Sequence, residues 1–506
     1  MKEWTKEEKK RILDEEDLPE LEKLHEQILQ SRWRCDYHVQ TVTGLMNDPN
    51  GFCWYNGKWH LFYQWFPFGA VHGMKHWYHV TSEDLVHWKN MGIAVMPDTW
   101  CENNGCYSGS AFIEDNILYY AYTGNSRDEQ NQRSQYQLLG KMDERGFHSK
   151  YPEPVIFPSK DYTEHQRDPK LFRREEDGKY YILHGAQNKE LQGVLLLYSS
   201  DTISEGWSLC GELKVRGYDH FGSMAECPDL EKVGDKWLLL FSPQGLETDR
   251  EGFENSCHNI YFIGDMDFEN LEFIPDGQYE ELDRGFDFYA AQCAFQKQYE
   301  NTAVLEAWVG GVEYTYPPTD EEGWAGLQTL PRELTIEDGK LVQRPSRNVD
   351  ALKGELLFEA KNGEILQNKT IGTTPDACVI SVQNPDLESF TLNLFAEMNH
   401  KGFEISYSKM TGQFTIDRSD MTNQINTEYG TKRTISLPQG MKSLLVFADH
   451  SIVEIFVNDG EYVLTARIFP TEQERQLRMN GKNVDMSIWQ ANKTVDDDFV
   501  ITEAEE

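Results

Sequence analysis

Asn56-Gly57-Lys58-Trp59-His60-Leu61-Phe62-Tyr63 reads as a tight turn followed by an aromatic and aliphatic strand, and its pattern returns four more times. The further copies are Glu114-Asp115-Asn116-Ile117-Leu118-Tyr119-Tyr120, Asp177-Gly178-Lys179-Tyr180-Tyr181-Ile182-Leu183, Gly234-Asp235-Lys236-Trp237-Leu238-Leu239-Leu240 and Glu300-Asn301-Thr302-Ala303-Val304-Leu305. Gly, Asn and Asp supply the turns, and bulky apolar runs supply the strands. The strands start near residues 59, 117, 180, 237 and 303. A period of about sixty residues with several strands per unit predicts a β-propeller, here with five blades. Chance similarity among hairpins is the alternative. The echoes Ser82-Glu83-Asp84-Leu85-Val86-His87-Trp88 and Ser200-Asp201-Thr202-Ile203-Ser204-Glu205-Gly206-Trp207, after the first and third copies, weigh against it.

Ahead of each copied strand lies a polar segment: Asn47-Asp48-Pro49, Tyr107-Ser108-Gly109-Ser110, Arg167-Asp168-Pro169, Glu226-Cys227-Pro228 and Tyr289-Ala290-Ala291-Gln292. Their nearly constant offset from the strands predicts equivalent positions around a common axis. Asp48, Asp168 and Glu226 then point into one pocket, where like charges repel and are costly unless function retains them. Proline after Asp48 removes an N–H and restricts the aspartate toward an extended backbone, which suits a stiff corner. An ordinary Asp-Pro turn is the bland reading of that segment alone.

The chain has 506 residues, enough for two or more domains, with 39% hydrophobic and 12% aromatic residues. A net charge of −37 argues against nucleic acid and anionic membrane surfaces as partners. No window approaches the ~20 apolar residues of a membrane span, and the N-terminus reads as no secretory signal. Nine scattered cysteines without CxxC spacing suit free thiols in a reducing cytoplasm, which is the expected location. Leucines and isoleucines at helical spacing predict a helical arm over 5–32. From about Leu352 the period breaks into short alternating strands that predict a β-sandwich. The expected domains are the arm (1–33), a five-bladed catalytic propeller (34–351) and the sandwich (352–506). The acidic end, Asp496-Asp497-Asp498 and Glu503 to Glu506, reads as a solvated tail.

At this point the chain resembles glycoside hydrolase family 32, the invertases and fructan hydrolases. The resemblance rests on Asn47-Asp48-Pro49-Asn50-Gly51, Phe62-Tyr63-Gln64, Tyr107-Ser108-Gly109-Ser110-Ala111, Arg167-Asp168-Pro169, Glu226-Cys227-Pro228-Asp229, Gly285-Phe286-Asp287-Phe288-Tyr289-Ala290, Gly323-Trp324-Ala325-Gly326 with Leu330-Pro331-Arg332-Glu333-Leu334, and Glu454-Ile455-Phe456. It implies a five-bladed propeller with a C-terminal β-sandwich. It also implies Asp48 as nucleophile, Glu226 as general acid/base and Asp168 as transition-state stabiliser. Substrate-binding places are implied at Asn47, Gln64, Trp77, Tyr107, Ser108, Arg167, Tyr289 and Trp308. The expected reaction is retaining hydrolysis of a fructosyl bond, in which carboxyls about 5–5.5 Å apart act as nucleophile and acid. Asp48 is expected to stay ionised, Glu226 to be raised by it, and Arg167 to hold Asp168. No cofactor and no metal is expected, and the partner is a small sugar.

Residues 71–80 depart from the family pattern Val-Trp-Gly-x-Met-His-Trp-Gly-His-Ala. His72 stands in place of a tryptophan, and Lys75 adds charge nearby. Both are candidate contacts for the phosphate of a sucrose 6-phosphate substrate, with a solvated rim as the alternative. His72, His76 and His79 also mimic zinc spacing, but Gly73 and the aromatic surroundings predict strand and loop rather than a helix face. Non-phosphorylated sucrose or short fructans remain open as substrates, as does an inactive sugar-binding propeller. The oligomer is open between monomer and homodimer, with the sandwich as its expected interface.

Overall fold

The computed structural model describes residues 2–247, 250, 254–296, 299, 301–311, 317–383 and 388–501. Five antiparallel sheets follow one another, each with its first strand innermost. Inner and second strands pair as Gly44–Tyr55 with Lys58–Phe66, Cys106–Glu114 with Ile117–Arg127, Gln166–Arg173 with Tyr180–Gln187, Met224–Val233 with Lys236–Gln244, and Tyr289–Cys293 with Ala303–Val309. Every second strand is one of the five sequence copies, and every inner strand carries one of the polar segments.

The second strands read as continuous apolar runs because each sheet is covered on both faces. Leu239 packs with Leu183 and Leu197 of the third sheet, whereas Leu238 and Leu240 pack with Leu305 and Leu334 of the fifth. The ring closes where Trp324–Ala325, beyond the fifth inner strand, pairs in parallel with Gly44 and Leu45 of the first.

Polar side chains also tie neighbouring inner strands around the axis. The Asn50 side chain accepts from the Gly109 N–H at 3.0 Å, and the Ser110 hydroxyl donates to the Pro169 carbonyl at 2.8 Å. Lys170 Nζ pairs with Asp229 at 2.8 Å, Asp229 accepts from the Cys293 N–H at 2.8 Å, and Gln292 accepts from the Phe52 N–H at 3.3 Å, while its amide reaches across the axis to donate to the Gly109 carbonyl at 2.8 Å.

The helical arm is shorter and more broken than the sequence predicts. It holds a helix at Lys6–Lys9, a 3₁₀ turn at Glu15–Asp17 and a helix at Leu18–Ile28, with Pro19 in its first turn. Between the helices the chain is pinned to the first blade instead. The Met74 N–H donates to the Lys9 carbonyl, and the Leu13 N–H donates to His76 Nε2. Among the described residues no helix is long and apolar enough to cross a membrane.

The remaining strands form a two-layered sandwich. One layer holds Phe390–Ala396, Gly402–Ser408, Gln413–Asp420 and Lys432–Ser436, and the other holds Ala377–Gln383, Ser443–Asp449, Ile452–Val457 and Tyr462–Arg467. Gln476–Ala491 pairs with both layers, and one core joins Ile380, Val446 and Ile455 to Leu392, Ile405 and Phe414. Asp496–Asp498 is not a loose acidic end. Asp496 donates its N–H to the Trp88 carbonyl, Asp497 pairs with Arg34, and the Ile93 N–H donates to Ile501. Glu503 to Glu506 lie outside the described residues.

The propeller meets the sandwich through buried charge. Arg332 Nη2 donates to Asp283 at 2.9 Å and to Glu454 at 2.7 Å, and Glu454 also accepts from the Leu330 N–H and faces His38 Nε2 at 3.2 Å. Asp287 pairs with Arg418 at 2.6 Å, and a Cβ at Gly285 would stand 2.1 Å from the Thr465 carbonyl oxygen. Signature segments distant in sequence therefore converge on one interface.

Candidate active site

Each of the five inner strands carries one extra residue at the same place. Met46 and Pro49 face Trp65 and Tyr63, so three residues span two. The same count holds from Cys106 to Gly109, Arg167 to Lys170, Glu226 to Asp229 and Tyr289 to Gln292. Such bulges re-aim a side chain and excuse a residue from the ladder. Proline is tolerated there for that reason, and Pro49, Pro169 and Pro228 all fall within these irregular stretches. Asp168, Cys227 and Ala290 take left-handed conformations, with φ of +67°, +46° and +55°. That strain is retained at the centre of the ring.

The bulges bring Asp48, Asp168 and Glu226 to one cavity of about 550 Å³. Asp48 Oδ2 accepts from the Ser108 hydroxyl at 2.5 Å and the Gln64 amide at 3.1 Å, and Oδ1 accepts from the Asn47 amide at 3.1 Å. Glu226 Oε1 accepts from Arg167 Nε at 3.2 Å and Nη2 at 2.6 Å. Its Oε2 accepts from the Gln244 amide at 2.7 Å and the Tyr289 hydroxyl at 2.5 Å. Asp168 is buried and accepts from the Cys227 N–H at 3.0 Å. Arg167 stands between the two acids: Nε and Nη2 donate to Glu226, Nη1 donates to His165 Nδ1, and Nε forms an ion pair with Asp168 Oδ2 at 3.8 Å.

Burial pushes Asp48 above the ordinary carboxylate range, and the charge of Glu226 adds to it. The Ser108 and Asn47 hydrogen bonds and the Lys75 charge oppose the shift. Burial also pushes Asp168 up, with Arg167 opposing and Glu226 and Asp48 reinforcing. Burial draws the Lys75 amine down to about 7, against the attraction of Asp48. Lys75 is buried, and its Nζ donates to Asn47 Oδ1 at 2.6 Å.

Asn47, Gln64, Tyr107, Ser108, Arg167, Tyr289 and Trp308 all line the cavity, as do His72 and Lys75. Trp77 does not. It is fully buried among Phe62, Tyr120 and Tyr122, and its indole N–H donates to the Tyr107 carbonyl at 3.1 Å. His72, His76 and His79 are not gathered. His72 is exposed on the rim, edge-on to Trp308. His76 is taken up by Met74 and Leu13, and His79 is stacked on Phe62. Cys227 packs beside the acids, with Sγ 3.7 Å from Asp48 and from Asp168. Gln244, the Cys227 N–H, Arg127 and Arg133 were missed in the sequence. Gln244 closes the strand Lys236–Gln244, whereas Gln64 lies two residues before the end of Lys58–Phe66, so no shared place in the repeat marked it.

Three carboxylates converging on the axis of a propeller, with their lone pairs met by amides, hydroxyls and one guanidinium, define a glycosidase. Family models agree over nearly all of the chain. Residues 38–345 match the glycosyl hydrolases family 32 N-terminal domain, and residues 342–493 match the glycosyl hydrolases family 32 C terminal. The chain belongs to glycoside hydrolase family 32. It is 39% identical to the sucrose-6-phosphate hydrolase of Staphylococcus xylosus over 489 residues, which covers 96% of this chain and 97% of that one. Among solved structures it resembles the sucrose-6-phosphate hydrolase of Lactobacillus gasseri, at 35% identity and a TM-score of 0.89 over 97% of this chain and all of that one. It also resembles a Bombyx mori β-fructofuranosidase, at 29% identity and a TM-score of 0.82 over 96% of this chain and all of that one.

Proposed function

We propose that this enzyme hydrolyses sucrose 6-phosphate to fructose and glucose 6-phosphate with retention at the fructosyl anomeric carbon. The observation that carries the chemistry is the fixing of Asp48 by three donors beside Glu226 in one cavity. In this reading Asp48 attacks the anomeric carbon and forms a covalent fructosyl-enzyme while Glu226 protonates the departing glycosidic oxygen. Glu226 then takes a proton from water, and the hydroxide displaces Asp48. Asp168 accepts from fructosyl hydroxyls. Those bonds offset its burial and strengthen as positive charge develops on the ring. Asn47 and Gln64 orient Asp48, Tyr289 and Arg167 orient Glu226, and Trp308 walls the sugar.

The phosphorylated substrate is supported by the relatives named for that activity. The likeness to the Bombyx mori enzyme, a mutant of which is solved in complex with sucrose, supports a second reading, action on plain sucrose. His72 is a rim residue edge-on to Trp308 in this reading. Lys75 is assigned to supporting Asp48, because its amine is bonded to Asn47. A reducing cytoplasm fits the nine cysteines, all free thiols.

Asp48→Asn and Glu226→Gln should each keep the melting temperature and lose at least ~10²–10⁴-fold in kcat. Near-normal turnover in either purified variant would remove its assigned role, and an inverted product would exclude the mechanism. Parallel kcat/KM values for sucrose 6-phosphate, sucrose and inulin decide the substrate.

A further inference from the structure

Arg127 and Arg133 end the paired strands Ile117–Arg127 and Arg133–Met142, and they face each other directly in the register. Like charges placed opposite on an antiparallel pair are unfavourable. Among the described residues no carboxylate lies within ion-pairing distance of either. Arg127 Nη1 donates to the Asn131 carbonyl at 2.9 Å, and Arg133 Nη1 donates to His165 Nδ1 at 3.3 Å. Arg133 Nε is buried without a hydrogen-bond partner. Both side chains line the cavity that holds Asp48 and Glu226, in a chain with 85 acidic residues against 48 basic ones. Burial lowers the Arg133 guanidinium from its usual range, and Arg127 and Arg167 add to that through repulsion. An anion between the two forks would reverse both costs.

The position of the pair says which part of the substrate it meets. His165 Nδ1 accepts from Arg133 and, at 3.1 Å, from Arg167 Nη1, and Arg167 in turn donates to Glu226. The arginine pair therefore stands beyond the acid, on the side where the leaving group departs, with His165 neutral between the guanidiniums. Asp48 belongs to the fructosyl side. We propose that Arg127 and Arg133 form the subsite for the 6-phosphate of the leaving glucosyl unit; this rests on the substrate reading above. Planar guanidinium forks match phosphate oxygens in bidentate hydrogen bonds, which gives geometry as well as charge.

The test uses Arg127→Gln, Arg133→Gln and Arg133→Lys in the whole enzyme. The ratio of kcat/KM for sucrose 6-phosphate to that for sucrose should fall about 10–100-fold in each glutamine variant, mainly through KM, because charge-assisted hydrogen bonds are lost. Product inhibition by glucose 6-phosphate should weaken in step, and Arg133→Lys should keep part of both. An unchanged ratio in both glutamine variants, or an equal fall for both substrates, would overturn the proposal. If the wild-type enzyme shows no preference for the phosphorylated sugar, the substrate reading fails by itself. The subsite is then judged by inorganic phosphate as competitive inhibitor: weaker inhibition in the glutamine variants supports it, and unchanged inhibition overturns it.

Discussion

Lys75 stands where the family pattern carries methionine, and it places a buried amine one residue away from Asp48, through Asn47. In the unfolded chain this amine holds its proton up to about 10.5, whereas in the folded protein it does so only to about 7. The unfolded state therefore binds more protons between these values, and the amine costs stability that is regained as pH rises across that window. Lys75→Met should raise the melting temperature most at pH 6, with the gain shrinking toward pH 10. It should also remove a cation that holds Asp48 down, so the acid limb of the kcat/KM profile moves to higher pH. A melting curve whose gain is equal at both pH values would contradict the first expectation, and an unmoved acid limb the second. At this scale the three acids were legible because their offsets repeat. The place of Lys75 at the cavity was legible too, but its bond to Asn47 was not, because charge near a site in sequence does not reveal which partner a side chain meets. Trp77 failed for a related reason: its strand position faces the core under Tyr107, not the cavity.

The bulge is the unit that matters at the scale of elements. Sequence turns and apolar runs disclosed the second strands, since hairpin chemistry is local. The bulges were half disclosed, by prolines that an unbroken ladder would reject. The broken arm was not disclosed, because its interruption comes from contacts with the first blade rather than from its own periodicity. Ala290 tests the element directly. It is buried, its φ is +55°, and it follows Tyr289, whose hydroxyl donates to Glu226 at 2.5 Å. Ala290→Gly should hold or raise the melting temperature, because left-handed backbone costs a non-glycine residue roughly 1–2 kcal/mol. Ala290→Val should lower the melting temperature and reduce kcat as Tyr289 is re-aimed. Equal behaviour of the two variants would show that the bulge is not under this constraint.

For the whole molecule, buried ionic groups couple the propeller to the sandwich. His38 lies between Asp449, at 2.8 Å, and Glu454, at 3.2 Å. Burial opposes its protonation, but the hydrogen bonds to Asp449 and then Glu454 outweigh it and raise the imidazole. Burial acts the other way on the two acids, yet His38 holds Asp449 below the usual range, and Arg332 followed by His38 does so for Glu454. A raised histidine stabilises fully below its unfolded value of 6.5 and loses that contribution as pH rises through the folded value. Depressed acids stabilise above their unfolded values of 3.8 and 4.5, and lose it as pH falls. The interface is therefore strongest between about 4.5 and 6.5. His38→Gln should remove most of the decline in melting temperature on the alkaline side of that window, and an unchanged slope from pH 6 to 9 would refute the linkage. Ring closure by Trp324–Ala325 against Gly44 and Leu45 adds a constraint of timing. On the ribosome the first blade emerges before the other four, but its inner edge waits for a partner made more than two hundred and fifty residues later, and its outer margin waits for Ile501. At ordinary elongation rates that is roughly 15–50 seconds with an open strand edge. The blade made before the others is the last to be sealed, and until then its open edge is a template for pairing with another chain.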